Sequence, residues 1–234
     1  MRQVFVNREE LANMCHRVDV EAPQRALEPL ATYLETLTAW NRAINLVGLH
    51  TWQDIFSCLV VDSFHLAHFL DTLPLSTSPL VWDLGSGAGL PGIPLRLVWE
   101  RGQYHLVELR EKRALFLSTI LARLRLPRTF VHRMSVERFF QERVVPADCI
   151  VSRAFLPWRQ LLDLTAPQLQ TQGVLVIMAH APKPDALPAP WRVIARQSYD
   201  ACGKKRWFWA LCPDLPQGCG TADVSSPGAE YGRS

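Results

Sequence analysis

Apolar residues recur at helical spacing through the first third of the chain. Leu27, Leu30, Ala31, Leu34 and Leu37 follow at three- and four-residue steps, with Glu28, Glu35 and Thr38 on other faces, which predicts an amphipathic helix. The whole segment 8–70 reads as helical, with a second helical stretch over about 52–70. A polar–apolar hinge from Trp40 to Gly48 separates the two. The linker LPLSTSP (73–79), with two prolines, ends this lead-in. From residue 80 the pattern changes to short apolar runs alternating with amphipathic ones. Strands are predicted near 80–84, 104–108, 129–132, 148–152 and 173–179, and helices near 91–99, 110–124, 135–142 and 156–170. That alternation predicts an α/β fold built on a doubly wound parallel sheet. The proline-rich stretch APKPDALPAP (181–190) cannot be helix interior. Two further strand-like runs, 191–199 and 206–212, are close enough to pair antiparallel at a sheet edge. The organisation expected is a helical extension over 1–79 packed on the core, a core domain over 80–212 and a tail over 213–234. The tail is rich in Gly, Pro and Ser and is expected to be disordered.

One segment of this pattern carries chemistry. Val81 to Gly92 reads as a buried strand ending in an acid, then a turn with glycine at 85, 87 and 89, then a helix start with Pro91 in its first turn. Such a loop, at the carboxyl end of a parallel strand, can close its backbone over a small molecule. A helix N-terminus just beyond would offer free N–H groups. A nicotinamide-type loop needs G-x-G-x-x-G, and Leu stands at position 90 instead of the third glycine. The spacing here is D-x-G-x-G-x-G, which resembles the first motif of Rossmann-like, class I S-adenosylmethionine-dependent methyltransferases. That resemblance implies a loop over the methionyl part of the cofactor, with Gly87 in the turn and Asp83 meeting the ammonium group directly or through water. The second strand ends at Glu108, placed to accept hydrogen bonds from both ribose hydroxyls.

Charge sharpens the picture. The formal net charge is +3, yet residues 101–143 carry ten basic side chains against four acidic ones, while the first hundred residues are net acidic. A basic middle suits a phosphate-rich partner, and Arg110, Lys112, Arg113, Arg123, Arg125 and Arg128 are candidate phosphate contacts. No segment is apolar enough to span a bilayer, and MRQVFVNREE lacks the apolar run of a secretion signal. The six cysteines show no CxxC and no zinc-type spacing. The expectation is a reduced, cytoplasmic monomer with free thiols and no metal; His65 and His68 lack a third ligand at motif spacing. Alternation puts Trp207 and Trp209 on one face of an edge strand, for core packing or, less favoured, base stacking.

The fuller string Asp83-Leu-Gly-Ser-Gly-Ala-Gly-Leu-Pro-Gly-Ile-Pro-Leu95 resembles the RsmG (GidB) family of bacterial 16S ribosomal RNA guanine-N7 methyltransferases. Trp40-Asn41-Arg42, Asn45-Leu46, Asp62-Ser63, Glu111-Lys112-Arg113, Phe116-Leu117, Val136-Glu137 and Ser152-Arg153-Ala154-Phe155 agree in order. The resemblance spans about residues 25–212. It implies that Gly85 and Leu90 line the methionyl side of the cofactor, that Val136 and Glu137 flank the adenine, and that Arg153 faces both cofactor and incoming base as the catalytic residue. It implies formation of 7-methylguanosine at one guanine of a decoding-region loop, with the 16S rRNA or small subunit as partner. Two departures bear on RNA contact or efficiency. Cys58-Leu59 stand where the family usually has a basic residue or histidine, and Ala179-His180 stand in place of a Lys-Gly pair, with Lys183 a few residues on. The chain also runs about twenty residues past the family's usual end. The second departure motivates an alternative of another class, a cofactor-binding ribosome assembly factor without activity.

Overall fold

The computed structural model describes residues 4–214. Helix α1 (Arg8–Arg17) starts where the Asn7 side chain accepts from the N–H groups of Glu9 and Glu10, with acids in the first turn and His16 and Arg17 in the last. Helix α2 (Gln24–Ile44) carries the predicted apolar stripe, with Leu27, Leu30, Leu34 and Leu37 all buried. It ends at Asn45, a left-handed residue. The hinge that follows is built on Asn41, whose side chain donates to the Leu49 carbonyl and accepts from the Val47 N–H. The second helical stretch is continuous through α3 (Trp52–Ile55), a π-helical turn at Phe56–Val60, and α4 (Val61–Asp71).

The core alternates β1 (Leu80–Leu84), α5 (Gly92–Val98), β2 (Gln103–Val107), α6 (Glu111–Leu124), β3 (Thr129–His132), α7 (Val136–Gln141), β4 (Ala147–Arg153), α8 (Trp158–Thr165) and β5 (Leu169–Ala179). Helix α8 stops earlier than periodicity suggests because Pro167 enters a short 3-10 turn, and β5 correspondingly begins at Leu169. The edge strands β6 (Trp191–Ala201) and β7 (Lys204–Pro213) form a hairpin, and β7 inserts between β5 and β6. The sheet order is β3-β2-β1-β4-β5-β7-β6, with parallel pairing from β3 to β5 and antiparallel pairing of β7 with both neighbours. This is a doubly wound, Rossmann-like α/β sheet, and its order reverses between β1 and β4, where such sheets open a crevice for ligands. Strand β7 extends through Pro213, the residue from which a tail is expected; residues 215–234 lie outside the described residues.

Strand alternation divides the core between the two faces. Val81, Leu106, Val151 and Phe208 pack with the lead-in helices, while Trp82, Leu84, Ile150 and Leu211 pack on the other side with Phe139 and Leu161. The lead-in reaches the glycine turn directly. Tyr33 of α2 donates to the Ala88 carbonyl at 3.0 Å, and Ser63 of α4 donates to the Pro91 carbonyl at 3.0 Å.

The free-thiol expectation needs correcting for two residues. Cys58 in the π-helical turn and Cys202 at the tip of the β6–β7 hairpin form a disulfide, their Cα atoms 4.9 Å apart. Residues far apart in sequence are brought within bonding reach by the fold, which spacing arithmetic does not register. Cys15, Cys149 and Cys212 are free and buried; Cys219 lies outside the described residues. No helix among the described residues is long and apolar enough to cross a membrane. None of their His, Cys, Asp and Glu side chains form a group of three or more fit to hold a metal ion.

Candidate active site

A cavity of about 440 Å3 opens at the carboxyl ends of β1, β2 and β4, at the switch point of the sheet. Gly85 comes from the end of β1, Glu108 and Leu109 from the end of β2, Val136 and Glu137 from the start of α7, and Phe155 from the loop after β4. Four residues singled out from sequence, Gly85, Glu108, Val136 and Glu137, therefore meet at one wall-to-wall site.

Glu108 is the best-defined group in it. One carboxylate oxygen accepts from the Gly87 N–H at 2.9 Å and the other from the Arg110 N–H at 2.7 Å. The residue is 5 % exposed and makes no ion pair among the described residues. A carboxylate has about four acceptor sites, so two remain open after these bonds. These open sites belong to a residue that lines the cavity, where a ligand's donors can reach them. The adjacent wall is apolar, with Val107, Leu109, Met134 and Val136. Leu109 is 65 % exposed beside it, an apolar side chain with little protein to cover it. The pairing of an acceptor-only carboxylate with an apolar slot fits a ribose carrying a flat heterocycle, the nucleoside half of S-adenosylmethionine.

The other sequence candidates lie around this cavity rather than in its walls. Asp83 is turned beneath the glycine turn, where its carboxylate accepts from Tyr104 Oη at 3.1 Å and from the Gly92 N–H. Burial pushes its pKa up to about 7, against the lowering effect of those two bonds and of nearby Arg153. A Cβ at Gly92 would come within 2.7 Å of the Asp83 carboxylate, so glycine is what lets α5 start against it. Pro91 precedes α5 rather than lying in its first turn. The Gly85 and Ser86 N–H groups go to the Val107 carbonyl, and the Gly92 N–H to Asp83. The turn thus uses several of its own donors to hold its shape. Gly87 contributes its N–H to Glu108, and Leu90 is buried in the core behind the turn.

Arg153, the last residue of β4, is directed to the lead-in. Its guanidinium donates to the Leu59 carbonyl at 3.1 Å and pairs with Asp62 at 3.1 Å. Asp62 is 1 % exposed and is shared with Arg206 of β7. Arg153 keeps 16 % of its side chain exposed and lies near enough to Asp83 and Tyr33 to lower both their pKa values against burial. The Cys58-Leu59 departure is now placed: Cys58 is disulfide-bonded and Leu59 supplies the carbonyl that holds Arg153.

Sequence reasoning missed the role of Phe155. Its ring lies against Gly85, where an added Cβ would approach Phe155 Cδ2 to 2.4 Å, and it lines the cavity with Ala154 and Leu156. It also gave Arg113 only a phosphate role, although this side chain lines the cavity and hangs over Gly87. The signal was available: Arg110 and Arg113 are one helical turn apart at the start of α6, directly after Glu108.

Residues 26–190 match the protein family described as rRNA small subunit methyltransferase G (GidB), well over half of the chain. The chain belongs to this family. A protein of Nitratidesulfovibrio vulgaris named ribosomal RNA small subunit methyltransferase G is 52% identical over 211 residues, covering 90% of this chain and 96% of its own length. Proteins of the same name from Lawsonia intracellularis and Oleidesulfovibrio alaskensis are 44% and 43% identical, over 86% and 85% of this chain and 94% and 90% of their own lengths. Among solved structures, a putative methyltransferase of Escherichia coli superposes with a TM-score of 0.49 at 15% identity, covering 64% of this chain and 83% of its own. The GidB match begins near the start of α2 and ends in the loop before β6, so it takes in the lead-in helices together with the glycine turn and the cavity.

Proposed function

We propose that this chain transfers a methyl group from S-adenosylmethionine to N7 of one guanine in a decoding-region loop of 16S rRNA, acting in the cytoplasm on the small subunit. The observation that carries the cofactor half is Glu108, a buried carboxylate with no ion pair among the described residues, facing a partly apolar slot beside a glycine turn. Family membership carries the substrate half.

The bound cofactor supplies an electrophilic methyl on a positively charged sulfur. Glu108 would accept from the ribose hydroxyls, and Leu109, Met134, Val136 and Glu137 would flank the adenine. Gly85 gives the methionyl part room beside Phe155. Asp83, Gly87 and Leu90 hold the turn in shape, Asp83 through Tyr104 and Gly92. The N7 lone pair of guanine is free at neutral pH, so methyl transfer to it, with the carbon–sulfur bond breaking as the carbon–nitrogen bond forms and the thioether leaving, would need no residue to remove a proton. Catalysis then comes from holding the two in line, which is worth about 7–11 kcal/mol in well-oriented intramolecular reactions. Arg153 is the residue proposed to orient the base through guanine O6, since arginine pairs with guanine acceptors and N7 must stay open. Asp62 holds its guanidinium at the carboxyl edge of β4 meanwhile. The base must leave any stack to arrive, which a single-stranded loop permits at least cost.

The test is transfer of labelled methyl from S-adenosylmethionine to small subunits purified from a strain lacking this gene, with mass spectrometry of the digested rRNA. 7-Methylguanosine at a single position is the expected result. Tight cofactor binding with no transfer to subunits at any assembly stage would overturn it in favour of the assembly-factor reading. An Arg153→Ala variant with unchanged transfer rate and cofactor affinity would remove that residue from the mechanism.

A further inference from the structure

A second cavity, of about 450 Å3, lies near the carboxyl end of β5, with β7 two strands from Arg153 in the sheet. Strand β7 runs antiparallel to β5, so its early residues come level with the carboxyl end of the parallel strands. Trp207 pairs with Ala179, the last residue of β5, and with Ser198 of β6, while Trp209 pairs with Arg196. Trp207 and Trp209 are on the face away from the lead-in, and the proline-rich loop after β5 folds over them. The walls include Lys183 and Asp185 from that loop, Arg196 and Ser198 from β6, and the two tryptophans; no helix residue takes part.

Three observations point to an occupant. The wall is aromatic and half open: Trp209 is buried and Trp207 partly exposed. Its cations are available, since Arg196 is exposed with no ion pair or hydrogen bond among the described residues, and Lys183 donates only to the Pro184 carbonyl. The segment after β4 also approaches both cavities, which share no lining residue. Phe155 and Leu156 line the first cavity, and Trp158, just beyond, meets Trp209 edge-on at 6.3 Å with Arg159 over its own ring at 4.5 Å. An indole face beside free cations is the combination that holds unpaired nucleotides, where base stacking is sequence-tolerant and cations track the backbone.

We propose that this cavity is a subsite for an unpaired nucleotide next to the target guanine, with its base on Trp207 and its phosphate between Lys183 and Arg196. Asp185 and Ser198 offer partners to the base edge or ribose. The proposal rests on the RNA-methylating reading above. It also gives Lys183 a place in RNA contact, at a chain that ends β5 with Ala179-His180.

The experiment uses the full chain and a single-stranded oligoribonucleotide containing 5-iodouridine. Affinity is read by fluorescence anisotropy, and ultraviolet crosslinking followed by peptide mass spectrometry reads the contact. Trp207→Leu is expected to weaken binding about tenfold, within the range for loss of one stacked base, and Trp207→Phe to retain most of it. Arg196→Gln should weaken binding and flatten its salt dependence. Cofactor affinity and melting temperature should stay unchanged, with the crosslink on Trp207. Should Trp207→Leu melt early, Arg196→Gln at its exposed position and Trp207→Phe with the crosslink decide the matter. Unchanged affinity in Arg196→Gln, or a crosslink confined to the basic face of α6, overturns the subsite. Methyl transfer is scored separately on small subunits. Loss of the proposed reaction with Trp207-dependent RNA binding intact defeats the functional reading alone; transfer with Trp207-independent binding defeats the subsite alone.

Discussion

At the scale of single residues, the cofactor proposal turns on how Glu108 and Gly85 are held. Glu108 is fixed by two backbone N–H groups before any ligand arrives, so it presents its free acceptors without reorganising. Glu108→Gln keeps the size but removes the charge, one open acceptor site and the acceptor of one of the two backbone N–H groups. Hydrogen bonds to charged groups are worth about 1.5–3 kcal/mol. Calorimetric titration should therefore show cofactor affinity falling by roughly ten- to a hundredfold, with a modest fall in melting temperature from the backbone N–H left facing the amide. Gly85 has φ of +71° and Phe155 against it. Gly85→Ala adds left-handed strain of about 1 kcal/mol and pushes Phe155 into the cavity. Its cofactor affinity should drop at least tenfold, and restoring it with Gly85→Ala/Phe155→Ala would locate the effect in that contact. Both residues stood out in the sequence, one as glycine in a turn and one as an acid at a strand end. Phe155 stood there only as a member of a family motif without a role, because nothing in the string says that a residue seventy positions away will press on that glycine.

At the scale of elements, strand and helix placement followed closely from periodicity, and the deviations have local causes such as Pro167 and Asn45. The joints between elements were not legible. Asn41 reads as a polar residue in a hinge, yet it is buried and ties the hinge together through Val47 and Leu49. Arg96 reads as the one charge of a short helix, yet it is fully buried and donates to the carbonyls of Trp99, Glu100, Arg101 and Pro127. Cys58 and Cys202 read as free thiols, yet they join the π-helical turn to the β6–β7 hairpin across 144 residues. Closing a loop of this length removes chain entropy worth about 4–5 kcal/mol in the loop-closure account, and typical measured gains are about 2–4. Urea unfolding of oxidised protein should show that order of stabilisation over protein kept in a thiol reductant. Cys58→Ser should match the reduced protein under both conditions; a variant as stable as oxidised wild type would mean the bond contributes nothing.

At the scale of the whole molecule, two buried groups on opposite faces of the sheet give opposing pH dependences. His105 stacks on His132 among Phe130 and Phe139, and burial, followed by the His132 and Arg143 charges, lowers its pKa to about 4. The unfolded chain binds that proton from about pH 6.5 downward, so this group costs stability as pH falls from about 6.5 to 4. Asp83, raised to about 7 chiefly by burial, behaves oppositely: the folded state keeps a proton that the unfolded chain loses above the ordinary value of 3.8. Its contribution is lost as pH rises through that interval. The two offset each other between about pH 4 and 6.5. Relative to wild type, His105→Gln should gain stability on acidification across this window, and Asp83→Asn should lose it, each by on the order of 1–3 kcal/mol. Urea midpoints at pH 4.5 and 7 check both signs.

The sequence by itself determined the α/β alternation, the glycine turn with its flanking acids and the family, because each is written in local periodicity or in motifs a few residues long. Only the tertiary structure decided which side chains meet. It put Arg153 on Asp62 with Arg206, Phe155 on Gly85, Cys58 on Cys202, and Trp207 beside Lys183 and Arg196. Those meetings depend on strand order and on the antiparallel return of β7, which bring together residues that no local rule relates.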